Sequence, residues 1–126
     1  MERKYCSLPK FSMEEAKIIL DSNNIEDLIL LPLSAGTYFT NWKAAQDICI
    51  KLSAHADERV RANVALGLAY TARTKGKLEK HIVKPVLLKL LRECNEYRWR
   101  VLDAIGDINF FMHWHIGVKA ISKISE

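Results

Sequence analysis

Asp57–Tyr70, DERVRANVALGLAY, and Glu96–Asn109, EYRWRVLDAIGDIN, read as two versions of one helical segment. With Gly67 placed over Gly106 the offset is 39 residues. Arg59 then meets Arg98, Arg61 meets Arg100, Ala65 meets Ala104, Leu66 meets Ile105 and Asp57 meets Glu96. Between them lies a helical pattern of another kind, in which Ile82, Val83, Val86, Leu87, Leu90 and Leu91 form one apolar stripe. Like helices recurring about every 40 residues, with an unlike helix between, mark a stacked helix-pair array. A single pair cannot bury its apolar face alone, so neighbouring pairs share a core.

The rest of the chain is also helical in pattern. Ser12-Met13-Glu14-Glu15 has capping-box form and opens a first helix carrying Ala16, Ile18, Ile19 and Leu20. Asn24 caps a second helix, with Glu26 and Asp27 in its first turn. Pro32 is expected to kink or end it, and Gly36 with the following Thr-Tyr-Phe-Thr reads as a connection. Asn41 caps a third helix, from Trp42 to about Ala54, with Ala45, Ile48, Cys49 and Leu52 on its apolar face. These N-terminal helices span 12–54, and the clear repeat spans 57–112. Asp57 caps the fourth helix, which runs to about Thr74. Its Ala62, Ala65, Gly67, Ala69 and Ala72 suit close packing on two sides. Lys75-Gly76-Lys77 is a break, Pro85 is expected in the first turn of the fifth helix, and the sixth runs from about Asn95 to Met112. After His115-Ile116-Gly117, a short amphipathic helix from Val118 to Ile124 closes the pattern, and no segment reads as a strand.

The spacing Asp57-x-x-Val60-Arg61-x-x-x-Ala65-Leu66-Gly67 resembles the first helix of a HEAT repeat. Pro85-Val86-Leu87-Leu88-x-Leu90-Leu91 is similar to the second. The resemblance implies an all-α, right-handed HEAT-like helical-repeat array (an α-α superhelix) of about three helix pairs, forming one domain over 1–126. It also implies that Arg61 pairs with an acidic residue of a neighbouring repeat in a structural ladder. The longer stretch His55–Gly117 resembles small HEAT-like immunity proteins of bacterial polymorphic toxin systems, including contact-dependent growth inhibition. It contains ALGLAYTARTKGKLEKHIVKPVLLKLL and EYRWRVLDAIGDINFFMHWHIG. That resemblance implies a non-catalytic inhibitor that occludes a cognate toxin domain, such as a nuclease, in a one-to-one complex. The net charge of +4 departs from the acidic character frequent among inhibitors of basic nucleases, so the resemblance requires a local acidic patch.

Composition narrows the remaining classes. A chain of 126 residues, 49% hydrophobic and 27% charged, is large and apolar enough to bury a core and is not disordered in composition. Cys6, Cys49 and Cys94 are odd in number and widely spaced, so no disulfide framework or zinc site is expected, and a reduced, cytoplasmic setting is the default. MERKYCSLPKF lacks the apolar segment of a signal peptide, and the Leu28–Leu33 run is too short to span a bilayer, so no membrane association is expected. His113-Trp114-His115 holds the one close histidine pair, without an evident third ligand, so no metal is expected. No glycine-rich phosphate loop and no strand–turn–helix nucleophile frame is present, which predicts no cofactor and no catalysis.

Two surfaces are candidates for a partner. On the sixth helix Tyr97, Val101, Ala104, Ile105, Ile108 and Met112 make a core face. Nearly opposite lie Trp99 and Phe110, with Glu96, Asp103 and Asp107 beside them. Aromatic residues are enriched at the cores of interfaces, and the carboxylates suit a basic partner. The competing expectation is that Trp99 and Phe110 pack against a terminal helix of this same chain. The second surface is basic. Residues 57–126 carry thirteen Lys/Arg against eight Asp/Glu, net +5, and residues 1–56 six against seven, net −1. Much of the excess lies in Arg73, Lys75, Lys77, Lys80, Lys84, Lys89 and Arg92. Lys84 and Lys89 on the fifth helix are therefore candidate partner residues. Nucleic-acid binding through the stripe 73–92 is the alternative function. The lack of aromatics between Arg73 and Arg92 counts against base stacking there.

Overall fold

Residues 8–117 are described by a computed structural model, and all six elements among them are α-helices. They are α1 (Met13–Asp21), α2 (Ile25–Tyr38), α3 (Trp42–Leu52), α4 (Glu58–Lys75), α5 (Lys80–Glu93) and α6 (Arg98–Met112). The closing helix expected over 118–124 lies outside the described residues. No helix among the described residues is long and apolar enough to cross a membrane.

The caps are where the sequence places them. Ser12 N–H donates to Glu15 Oε1 at 2.8 Å while Glu15 N–H donates to Ser12 Oγ at 3.0 Å, completing the capping box. Asn24, Asn41 and Asp57 accept from the first-turn N–H groups of α2, α3 and α4. Gly76, at φ 65°, ends α4 in the left-handed conformation that favours glycine.

Asp57 does more than cap. Its carboxylate accepts from the Arg59 backbone N–H at 2.8 Å and meets the Arg59 guanidinium at 2.7 Å. The Arg59 side chain is the main cause that lowers its pKa to about 2. Folding thus lowers this pKa, so its stabilisation is complete above the ordinary aspartate range and is lost as pH falls towards about 2. Asp57→Ala is expected to cost about 1 kcal/mol in urea unfolding at neutral pH. The gap between the two proteins should narrow as pH drops from about 4 to about 2.

At the centre is α4. It packs most extensively on α2, then on α6, with α3 and α5 also against it, while α1 contacts α2 and α5 contacts α6. Val60, Ala62, Val64, Ala65 and Leu68 are wholly buried, as the small-residue pattern predicts. The apolar faces of α3 (Ala45, Ile48, Cys49, Leu52) and α6 (Val101, Ala104, Ile105, Ile108) are also buried. On α5, Val83, Leu87, Leu90 and Leu91 are buried, whereas Ile82 and Val86 are only half-buried.

Three local expectations are corrected. First, α2 neither ends at Pro32 nor yields to a connection at Gly36; it continues to Tyr38. Proline supplies no N–H to the preceding turn and opens it. The carbonyl so deprived is that of Leu28 alone, and α2 is held on either side of it by its packing on α4: Asn63 donates to Ile29 O at 2.8 Å and Thr74 to Gly36 O at 2.9 Å. Second, Pro85 lies inside α5 rather than in its first turn. Pro85 and His81, whose carbonyl loses its helical donor, are both exposed, so solvent can take that carbonyl. Third, α6 starts at Arg98 rather than near Asn95. The Glu58 carboxylate of α4 accepts from Asn95 N–H and Tyr97 N–H, both at 2.8 Å, and holds the preceding turn. These contacts, the Tyr97 N–H foremost, lower the Glu58 pKa.

The two aligned glycines also differ. A methyl on Gly67 would lie 2.5 Å from Pro32 O and 2.9 Å from Cys49 Sγ, and one on Gly36 would overlap Gly67 O. Helices α2 and α4 therefore cross backbone to backbone. Gly106 faces outward, with no heavy atom within 4 Å of the same position. The arginines diverge as well. Arg61 Nη1 donates to His55 O at 2.9 Å and Ala56 O at 2.8 Å, with no carboxylate in ion-pair range among the described residues. The acidic ladder expected for Arg61 is replaced by a clamp on the loop before α4. Arg100 Nη1 instead reaches Asn63 Oδ1 at 2.7 Å.

Asn63, 3% exposed, thus joins α2, α4 and α6 through one amide. Asn63→Ala is expected to lower stability by about 2–3 kcal/mol, because a buried carbonyl and a guanidinium both lose their partner. Urea unfolding measures this, and a loss under about 0.5 kcal/mol would mean the network contributes nothing beyond an ordinary surface site.

Candidate partner-binding surface

The outward face of α6 is built by its own periodicity. At about 100° per residue, Trp99, Gly106 and Phe110 fall on one line and Asp103 and Asp107 lie along one flank, with Glu96 in the turn just before the helix. All six are exposed. Trp99 is 58% exposed and Phe110 74%, so among the described residues neither is packed into the chain. The two rings stand eleven residues apart, roughly 16 Å along the axis. They are two separate anchors on one helix face rather than one contiguous patch, each large and in water.

Both cations of α6 turn towards the chain itself. Arg98 Nε donates to Cys94 O at 3.0 Å. Arg100 bonds Asn63 and lies 5.0 Å from the Tyr97 ring centroid and 5.5 Å from that of Trp99. The α6 carboxylates are in no ion pair among the described residues. An acidic patch with aromatic ends therefore stands on a chain of net charge +4.

The aromatic surface continues past the helix, which sequence periodicity missed. His113, at φ 58°, closes α6, and its N–H donates to Asn109 O. Asn109 then clamps the following loop: its Nδ2 donates to Ile116 O at 3.0 Å, and Ile116 N–H donates to its Oδ1 at 2.9 Å. Ile116 is pinned in the core at 1% exposure. Above this clamp Phe110, Phe111, His113, Trp114 and His115 line an open hollow of about 510 Å3. The Phe110 and Phe111 rings meet edge to face at 5.2 Å, and Lys80 of α5 lies 5.7 Å from the Trp114 ring centroid. Phe111, still within α6, meets Phe110 along the helix, and Trp114 joins the hollow because a left-handed residue at 113 folds the chain back. No helical spacing encodes that reversal. His113 and His115 belong to a helix end and its clamp, and among the described residues no group of three or more metal-ligating side chains is gathered.

The two basic residues singled out on α5 do not share one face. Lys84 and Lys89 lie five residues apart on α5, about 140° around its axis, and Lys84 is exposed while Lys89 is half-buried. They are not brought together as a stripe. Elsewhere basic groups are engaged locally: Arg73 stacks on Tyr70 at 4.7 Å, and Lys43 reaches Glu79 at 2.8 Å.

The other perturbed groups are accounted for by packing. The Lys43 and Gln46 side chains hold Glu79 at the head of α5 and lower its pKa. Burial pushes the Cys49 thiol up to about 12 and also raises Cys94. Comparison with family models, curated proteins and solved structures finds no match for this chain.

Proposed function

We propose that this chain is a HEAT-like helix-pair array that acts without catalysis, by binding another protein through the outer face of α6. The observation that carries the reading is the exposure of Trp99 and Phe110 beside three carboxylates, Glu96, Asp103 and Asp107. Such anchors supply most of the binding energy at an interface, and the carboxylates steer a basic partner. The likeness of His55–Gly117 to small immunity proteins names the class of partner: a toxin domain whose active site or substrate groove is covered, with a basic nuclease as the best electrostatic match.

Neutralisation is tested in cells producing the C-terminal domain of the protein encoded immediately upstream. Co-expression of this chain should restore growth, and the double variant Trp99→Ala, Asp103→Lys should not. Failure of the unaltered chain to restore growth would refute the inhibitor reading. Nucleic-acid binding would instead appear as affinity that falls steeply with salt and is lost on charge reversal at Lys84 and Lys89.

A further inference from the structure

We infer that the outer face of α6 receives an α-helix of a basic protein, crossing at Gly106 with backbone against backbone. The inference rests on the proposal that this face binds a protein, and it specifies the form of the partner.

The precedent is within the chain. Ala65-Leu66-Gly67 of α4 is the point where α2 crosses so closely that a methyl on Gly67 would lie 2.5 Å from Pro32 O. Ala104-Ile105-Gly106 repeats that pattern on α6, but its glycine faces open space. Glycine inside an exposed helix is a poor choice for stability, exceeded only by proline. Nothing in the described chain needs the missing side chain at 106.

The surroundings fit a crossing helix. Trp99 stands seven residues before Gly106 and Phe110 four after, roughly 10 Å and 6 Å along the axis and within about 40° of it. They make two apolar walls around a notch of bare backbone. Asp103 and Asp107 run along one flank, about 60° and 100° from the notch, and Glu96 lies in the turn before the helix. The complementary element is a helix with a small residue at the crossing and Lys or Arg along one side. A two-fold pairing of α6 with its own counterpart in a second copy does not meet that description. Packing α6 on itself would bring its carboxylates together, with Arg98 and Arg100 already committed to Cys94 and Asn63. Nucleic acid is repelled by the same carboxylates.

The test uses the full chain, with the C-terminal domain encoded upstream as probe. Gly106→Ala, Gly106→Leu and Trp99→Ala are each titrated by calorimetry, and each is also melted. Gly106→Ala is expected to weaken binding about tenfold and Gly106→Leu more than roughly a hundredfold, with Tm at or above that of the unaltered chain. One methyl matters this much only where a backbone approaches closely. Weakened binding in Trp99→Ala, with both Gly106 variants binding normally, would overturn the crossing and leave the surface proposal standing. Normal binding in all three, or no binding by the unaltered chain, would overturn both.

Discussion

Gly67→Ala is expected to lower the unfolding free energy by about 2–3 kcal/mol, and Gly106→Ala to raise it by about 0.5–1 kcal/mol. The two glycines hold equivalent places in the repeated segment, so sequence alone assigns them the same role. Their surroundings reverse the sign. At Gly67 the new methyl meets Pro32 O at 2.5 Å and Cys49 Sγ at 2.9 Å. One of these is backbone of a packed helix and the other a side chain buried at 0% exposure, so neither can yield without moving α2 or α3. The overpacking cost exceeds the gain in helix propensity. At Gly106 nothing is met, and only the propensity gain remains. Urea unfolding of the two single variants measures both. Equal effects of one sign would show that the α2–α4 crossing is not the tight point of the fold.

Trp99→Ala should cost partner affinity about 2–4 kcal/mol, a loss of roughly thirty- to a thousandfold, while leaving stability within about 0.5 kcal/mol. The ring is 58% exposed, and its neighbour Arg100 keeps its bond to Asn63, so folding loses little when it is removed. Asp103→Lys should weaken binding as strongly, because it places a cation in the middle of the acidic flank and opposes a basic partner. Lys84→Glu, on α5, should have no effect of this size. Titration of the three variants against the same partner separates the two candidate surfaces. A large loss with Lys84→Glu and none with Trp99→Ala would move the interface to α5.

Much of the helical layout was legible because its signals are local. Ser12, Asn24, Asn41 and Asp57 cap as their side chains dictate, and the buried faces of α3 and α6 follow from spacing alone. The core stripe of α6 places Trp99 and Phe110 opposite it, but spacing alone leaves open whether a terminal helix covers them; among the described residues none does. What could not be read depends on long-range partners. Pro32 and Gly36 read as helix breakers, yet α4 supplies donors to Ile29 O and Gly36 O. Glu58 reads as one more acid in a first turn, yet it sets where α6 begins. Trp114 joins the surface through the left-handed turn at His113, for which the sequence carries no glycine to give warning.

Binding through the outer face of α6 is measured most directly by calorimetric titration of this chain with the C-terminal domain of the protein encoded immediately upstream, at low and at moderate salt. Tight one-to-one binding that survives the added salt is expected, because desolvated aromatic anchors carry most of the energy and the carboxylates mainly guide the approach. No binding, or binding that collapses with salt and is matched by nucleic acid, would contradict it.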